Sequence, residues 1–180
     1  MADGRSRRRL HLLRHAMPDP APHLPPSVWA LATQGRHAAI TIGRRVPKGV
    51  RVLSSAERKA IQTARLATGQ EPRQDSRFGE VAKPGEPYGS PFRERRGPWV
   101  RGDPDERHRG WETPVDAARR FSQAVEDHPD DDLLIATHGM VMVAWLVSIG
   151  RLHAGRAAEE YWAALTFPDL VTVEIRGVAQ

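Results

Sequence analysis

Three apolar runs in this chain break off on polar residues of a reactive kind. LHLL gives way to Arg14 and His15, VRVLSS (50–55) ends in two serines, and DDLLIATHG (131–139) ends in Thr137, His138 and Gly139. Short apolar runs bounded by polar residues read as strands. In open α/β sheets, ligands collect just outside the carboxyl ends of strands. If the three strands are neighbours, one crevice receives two histidines and an arginine. The ligand suited to that set is a phosphoryl group, which carries about two negative charges and needs cations around its oxygens. A neutral imidazole attacks phosphorus well when its other ring nitrogen is held as a donor. A second, cationic histidine stabilises the charge that develops, and an acid must protonate the leaving oxygen. Each residue also has a plainer reading: Arg14 and His15 as polar residues closing a strand, and His138 as a cap for the helix after it.

The elements that must carry these residues follow from the pattern around them. A first strand spans residues 8–13. The segment PDPAPHLPPSV (18–28) holds five prolines and is irregular. A helix starts near Thr33, turns Ala38, Ala39 and Ile42 inward, and runs out near Pro47. After the strand at 50–55, a helix runs from about Arg58 to Ala67 and is closed by Gly69. Residues 70–110, rich in Gly, Pro and Arg, show no clean period and read as a long functional or mobile loop. Pro114 to Asp127 has helical spacing, with Val115, Ala118, Phe121 and Val125 on one face. A strand at 131–139, a buried helix at 140–149 and an alternating last strand, LVTVEI (170–175), complete the chain. This alternation predicts a three-layer α/β/α sandwich with a largely parallel central sheet. It is read as a single domain over 1–180, with 1–8 a flexible basic tail.

Composition narrows the partners. The chain carries a net charge of +5, 39% hydrophobic and 27% charged residues, and no cysteine, which excludes disulfides and thiolate metal sites. No segment reaches the roughly 18 apolar residues of a membrane span, and the basic N-terminus lacks the apolar core of a signal peptide. A cytoplasmic protein is expected. Basic residues gather at Arg5–Arg9 and Arg93–Arg109, but Glu94, Asp103, Asp105 and Glu106 interrupt the second stretch, which argues against nucleic acid. Arg93, Arg95 and Arg96 read either as a solvated face or as a receptor for a second anionic group on a substrate. His11 and His15 imitate half of a zinc motif. The glutamate is missing, and on a strand the two lie about 13 Å apart, so no metal is expected. Trp99, Trp111, Trp145 and Trp162 read as core or pocket wall.

These motifs resemble the histidine phosphatase superfamily, in its phosphoglycerate-mutase-like branch. LLRHAMP (12–18) is similar to the Arg-His motif, with Ala16 where glycine is usual. SSAERKAIQTA (54–64) resembles Ser-Ser-x-x-x-Arg-Ala-x-x-Thr-Ala, and ATHGMV (136–141) resembles the later His-Gly motif. WALATQGRHAAI (29–40), FGEVAKP (78–84) and WETPVDAARRF (111–121) are similar to further family segments. The resemblance covers about residues 10 to 150 and implies a phosphoglycerate-mutase-like fold. It implies His15 as the nucleophile that becomes phosphohistidine, with Arg14, His138 and Gly139 lining the phosphate pocket. It also implies Glu80 as the acid that protonates the leaving alcohol and then activates water, Glu86 being the nearest substitute. The register of the second motif puts Lys59 at the basic position, which keeps the charge but loses the bidentate fork. Arg58 points about 100° away on the helix. Met17–Pro18 stand where mutase-type members carry Glu-Thr, which argues against a mutase. The implied activity is a metal-independent, cofactor-free phosphatase acting on a small phosphorylated substrate. The alternatives are a mutase-like phosphotransferase and a catalytically weak phosphate-binding domain. The substrate and the oligomeric state are left open.

Overall fold

The computed structural model describes residues 7–89, 91–102, 110–129 and 132–176. Five strands, β1 (Arg7–Arg14), β2 (Arg51–Ser54), β3 (Arg73–Gln74), β4 (Leu133–Thr137) and β5 (Asp169–Arg176), form one sheet in the order β3-β2-β4-β1-β5. The first four are parallel, and β5 runs antiparallel to β1 along the edge. β4 lies inside the sheet and all five of its residues are buried, as expected of a parallel strand covered on both faces.

Alternation along the strands divides the core in two. Leu10, Leu12, Leu53, Leu133 and Ile135 pack with Phe121, Met142 and Trp145. Leu13, Val52, Leu134 and Ala136 pack on the other face with Ile42, Ala60 and Ala64. Helices α1 (Thr33–Ile42) and α2 (Arg58–Thr68) cover the second face. Helices α3 (Phe92–Arg101), α4 (Pro114–Glu126), α5 (Gly139–Ser148) and α6 (Arg156–Ala164) lie with the first cluster. The result is the three-layer α/β sandwich. α2 ends where Gly69 takes φ 71°, the left-handed turn that glycine adopts without strain. α4 begins with Thr113 accepting from the Asp116 amide at 3.1 Å and with Pro114 in the first turn.

Three expectations are corrected. Residues 70–110 are not all loop: they contain β3, a 3-10 turn at Ser76–Phe78, and α3. α3 escaped the period test because its buried residues, Gly97, Trp99 and Val100, cluster around an internal Pro98. α6 was likewise not anticipated. Val115 is 66% exposed, and Ala117 takes the inward position in its place. The basic N-terminal stretch lies outside the described residues up to position 6, and Arg7 and Arg8 already belong to β1. Trp99, Trp145 and Trp162 are buried, and Trp111 packs partly buried against the same core.

Two features bear on the surface. The edge strand β5 has carbonyls covered by guanidinium groups: Arg151 donates to Glu174 O at 2.5 Å and Arg45 to Leu170 O at 3.4 Å. Among the described residues, no helix is long and apolar enough to cross a membrane.

Candidate active site

Strand register brings the polar strand ends to one level. Arg14 lies opposite Thr137, and Ser54 opposite Ala136. The ladder runs one residue further on each side, His15 N–H donating to Thr137 O at 3.0 Å and Ser55 N–H to Ala136 O at 2.9 Å. His15, Ser55 and His138 therefore emerge together. The two imidazole rings stand 5.0 Å apart between centroids, tilted by 57°.

The His15 ring is fixed through its own backbone. Nδ1 lies 2.8 Å from Ala16 O, a group that only accepts, so Nδ1 carries the hydrogen and Nε2 keeps its lone pair. Ala16 is held in turn, its N–H donating to Thr63 Oγ1 at 2.9 Å, while the Thr63 hydroxyl donates to Lys59 O at 2.7 Å. Burial, helped by His138, Lys59 and Arg14 and opposed by the Ala16 carbonyl, holds the His15 pKa well below the usual histidine value. His15 is a neutral imidazole with a free nitrogen.

His138 is fully buried. Its Nε2 lies 2.7 Å from Ser55 Oγ and 3.3 Å from Glu57 Oε1, and its Nδ1 has no partner among the described residues. Burial, with Lys59 and Lys83, pulls its pKa down to about 4 against the opposing pull of Glu57 and Glu80. Arg14 is buried too. It donates to Leu165 O at 2.7 Å, lies 3.5 Å from the centre of the Phe167 ring, and leaves Nε without a partner among the described residues. Burial lowers its pKa to about 10, which still leaves it charged at neutrality. Gly139 makes room for this packing: a Cβ there would stand 3.2 Å from Arg14 Cζ and Nε and 3.1 Å from Trp162 Nε1. Lys59 is not a solvated helix lysine. It is buried, donates to Pro26 O at 2.8 Å and forms an ion pair with Glu57.

The Glu80 carboxylate sits over the N-terminus of α5. It accepts from the amides of Val81 at 3.0 Å, Val141 at 3.1 Å and Met140 at 3.3 Å, the usual place for an anion at a helix start. Burial would raise its pKa, but Lys83, His138, the Val81 amide and Arg96 outweigh that and hold it well below the carboxylate range. Glu86 is engaged elsewhere, in a two-point pair with Arg96 at 2.7 and 2.8 Å. Arg95, on α3, donates to Pro87 O and Gly89 O at 3.0 and 2.9 Å and so ties down the segment before the helix. His11 hydrogen-bonds Thr172 on β5 at 2.9 Å, away from this cluster's contacts.

Sequence reasoning missed four contributors. Glu57 joins Lys59, His138 and the Glu80 amide, which donates to it at 2.8 Å. Lys83 acts electrostatically on both Glu80 and His138. Arg120 and Glu112 clamp the segment that carries Glu80. Arg120 donates to Gly79 O at 2.9 Å and pairs with Glu112 at 2.6 and 2.9 Å. Glu112 in turn accepts from the Ala82 amide at 3.1 Å. The signal for this clamp was present in WETPVDAARRF, which contains both residues.

Comparison with known proteins agrees with this architecture. The family model described as histidine phosphatase superfamily (branch 1) matches residues 10–165. No curated relative matches the chain significantly. Among solved structures, a mycobacterial glucosyl-3-phosphoglycerate phosphatase superposes with a TM-score of 0.67 at 22% identity, covering 93% of this chain and 90% of its own. YhfR from Bacillus stearothermophilus gives 0.70 at 17% identity, covering 94% and 92%. A phosphoserine phosphatase mutant from Entamoeba histolytica, in complex with phosphoserine, gives 0.65 at 13% identity, covering 91% and 89%.

Proposed function

Because the chain belongs to the histidine phosphatase superfamily, branch 1, we propose that it is a phosphatase that hydrolyses a small phosphomonoester through a covalent phosphohistidine on His15. The observation that carries this reading is the state of His15. Its Nδ1–H is locked on Ala16 O, and its neutral Nε2 stands beside a second histidine with an unused nitrogen.

Two polar atoms without partners among the described residues support a phosphoryl site between β1 and β4. Arg14 Nε and His138 Nδ1 are buried donors awaiting acceptors, and Lys59 adds charge from the α2 side. His15 Nε2 attacks phosphorus: the N–P bond forms, the P–O bond to the leaving alcohol breaks, and Glu80 gives the departing oxygen its proton. In the empty site Glu80 is ionised. The dianion entering beside it opposes that charge, so the acid takes up its proton as substrate binds. In the second half, the Glu80 carboxylate accepts a proton from water, the oxygen attacks phosphorus, and the N–P bond breaks to release phosphate. The neighbours named for glucosyl-3-phosphoglycerate and phosphoserine act on phosphomonoesters, which supports that substrate class.

A second reading, a catalytically weak phosphate-binding domain, is favoured by one observation: Lys59, already lacking arginine's fork, is engaged by Glu57. Hydrolysis of p-nitrophenyl phosphate by wild type and His15→Ala, with chelator present, separates the two. Turnover that vanishes in the variant and ignores chelation fits the phosphatase. Phosphate binding without turnover over a broad substrate panel fits the binding domain.

A further inference from the structure

Glu57 lies at the start of α2, in the cap position, with extended backbone angles of −80° and 134°. A side chain there ordinarily accepts from the first amides of its helix. This one makes no such bond. Its carboxylate, 16% exposed, is turned instead toward the phosphoryl pocket, where one oxygen meets Lys59 and the other meets the Glu80 amide and His138 Nε2. We propose that Glu57 is a positioning residue for the reaction, orienting His138 and carrying the countercharge for its imidazolium when a phosphoryl group is bound. This rests on the phosphatase reading above.

The hydrogen bonds around His138 allow one sequence of states. Ser55 Oγ lies 3.3 Å from the Glu57 amide and accepts from it, so the hydroxyl hydrogen is free to go to His138 Nε2 at 2.7 Å. With Nε2 accepting, the neutral ring carries its hydrogen on Nδ1, the atom left without a partner among the described residues. Nδ1 then donates to a phosphoryl oxygen. When the dianion enters and the ring takes up a proton from solvent, the new Nε2–H needs an acceptor. Ser55 can turn its hydroxyl to accept, but it offers no charge. Glu57 Oε1, at 3.3 Å, does.

Among the described residues, no other facing group fills that place. Glu80, on the segment before α3, has its carboxylate committed to three amides. Lys83, on the same segment, and Lys59, on α2, are cations that oppose the imidazolium. From β1 and its end, Arg14 is a cation and His15 a neutral ring.

The test is the pH dependence of kcat for p-nitrophenyl phosphate in wild type, Glu57→Gln and Glu57→Asp. Turnover that needs a charged His138 persists below its ionisation in the complex and is lost as pH rises through it. Removing the facing carboxylate lowers that ionisation, so Glu57→Gln moves the alkaline limb to lower pH by about one unit or more, with Glu57→Asp between. A superimposable limb overturns the proposal. So does a variant that only binds inorganic phosphate more tightly with its limb unmoved, which would make Glu57 no more than a counter-ion for Lys59. If wild type shows no turnover, the phosphatase reading falls by itself. NMR titration of the His138 ring in the complex with inorganic phosphate then decides the role of Glu57: a lower ionisation in Glu57→Gln upholds it, and an unchanged one overturns it.

Discussion

Two buried histidines in this molecule each stand near a carboxylate that a cation also holds. His128 Nε2 lies 3.5 Å from Asp75, and Asp75 accepts from Arg77 Nε at 3.0 Å and Nη2 at 2.7 Å. His138 Nε2 lies 3.3 Å from Glu57, which pairs with Lys59. The charges match, and the histidines and carboxylates are similarly shielded, although Arg77 is more exposed than Lys59. The surroundings differ. Asp75 also takes the Arg77 amide at 2.9 Å, Arg77 goes on to Asp127 at 2.6 Å, and the His128 ring lies 6.4 Å from that of Phe78. That network is closed on itself. Around His138 the network stays open: its Nδ1 and Arg14 Nε are buried without partners among the described residues, and a second imidazole faces it at 5.0 Å. What separates the site from the brace is hydrogen-bonding capacity left unused, which in a buried setting destabilises the fold unless a ligand satisfies it.

That contrast is broken or sharpened first at His15. His15→Ala is expected to lower p-nitrophenyl phosphate turnover on the order of a thousandfold or more, since it removes the proposed attacking atom. Stopped turnovers of wild type should show an acid-labile phosphorus–nitrogen resonance by 31P NMR that the variant lacks. Next comes Glu80→Gln, expected to lower kcat by roughly 10²–10⁴-fold on alkyl phosphates. The loss should be smaller on p-nitrophenyl phosphate, whose leaving group needs less protonation, and equal losses on both substrates would remove Glu80 from the role of acid.

Gly139→Ala tests the open network sterically. The added Cβ displaces the Arg14 guanidinium or Trp162. At about 1–3 kcal/mol of overpacking, inorganic phosphate is expected to bind about tenfold more weakly by calorimetry. A smaller effect comes from pH. His15 and His138 have folded pKa values below their unfolded ones, His138 near 4. The unfolded chain therefore binds more protons in that range. Stability is fully present above the ordinary histidine pKa of about 6.5 and is lost as pH falls below it. The melting temperature should drop between pH 7 and pH 5, and His138→Gln should flatten that slope. The smallest effect is reserved for the brace: His128→Gln should lower the melting temperature by a few degrees, at about 1 kcal/mol of lost hydrogen bonding, and leave kcat within about twofold. A large loss of kcat there would erase the distinction between the two histidines.

How far the sequence discloses all this depends on whether a feature is local. β1, β2 and β4 are contiguous apolar runs whose polar ends are adjacent in sequence, so His15, Ser55 and His138 could be picked out as strand ends. That they meet depends on the order β2-β4-β1, which α/β alternation leaves open and the structure supplies. Glu57 gave no such signal. Between Ser55 and Lys59 a glutamate looks like an ordinary first-turn acid, and only the placement of His138, 81 positions later, gives it a ring to face. Arg120 is similar: on α4 it is one arginine of a surface-like pair, and the return of residues 77–80 beneath it makes it a clamp. α3 was obscured differently, by a proline inside the helix and a clustered inner face.

The covered edge of β5 has a consequence for crowding. An edge strand is where a sheet can recruit a second molecule, because its outward backbone groups offer a ready template. Here Arg151 and Arg45 already occupy the carbonyls of Glu174 and Leu170. A neighbouring chain that sought to extend the sheet would have to displace two guanidinium groups and bring its own strand against their charge. The two side chains thus stand in the way of sheet extension at these two carbonyls.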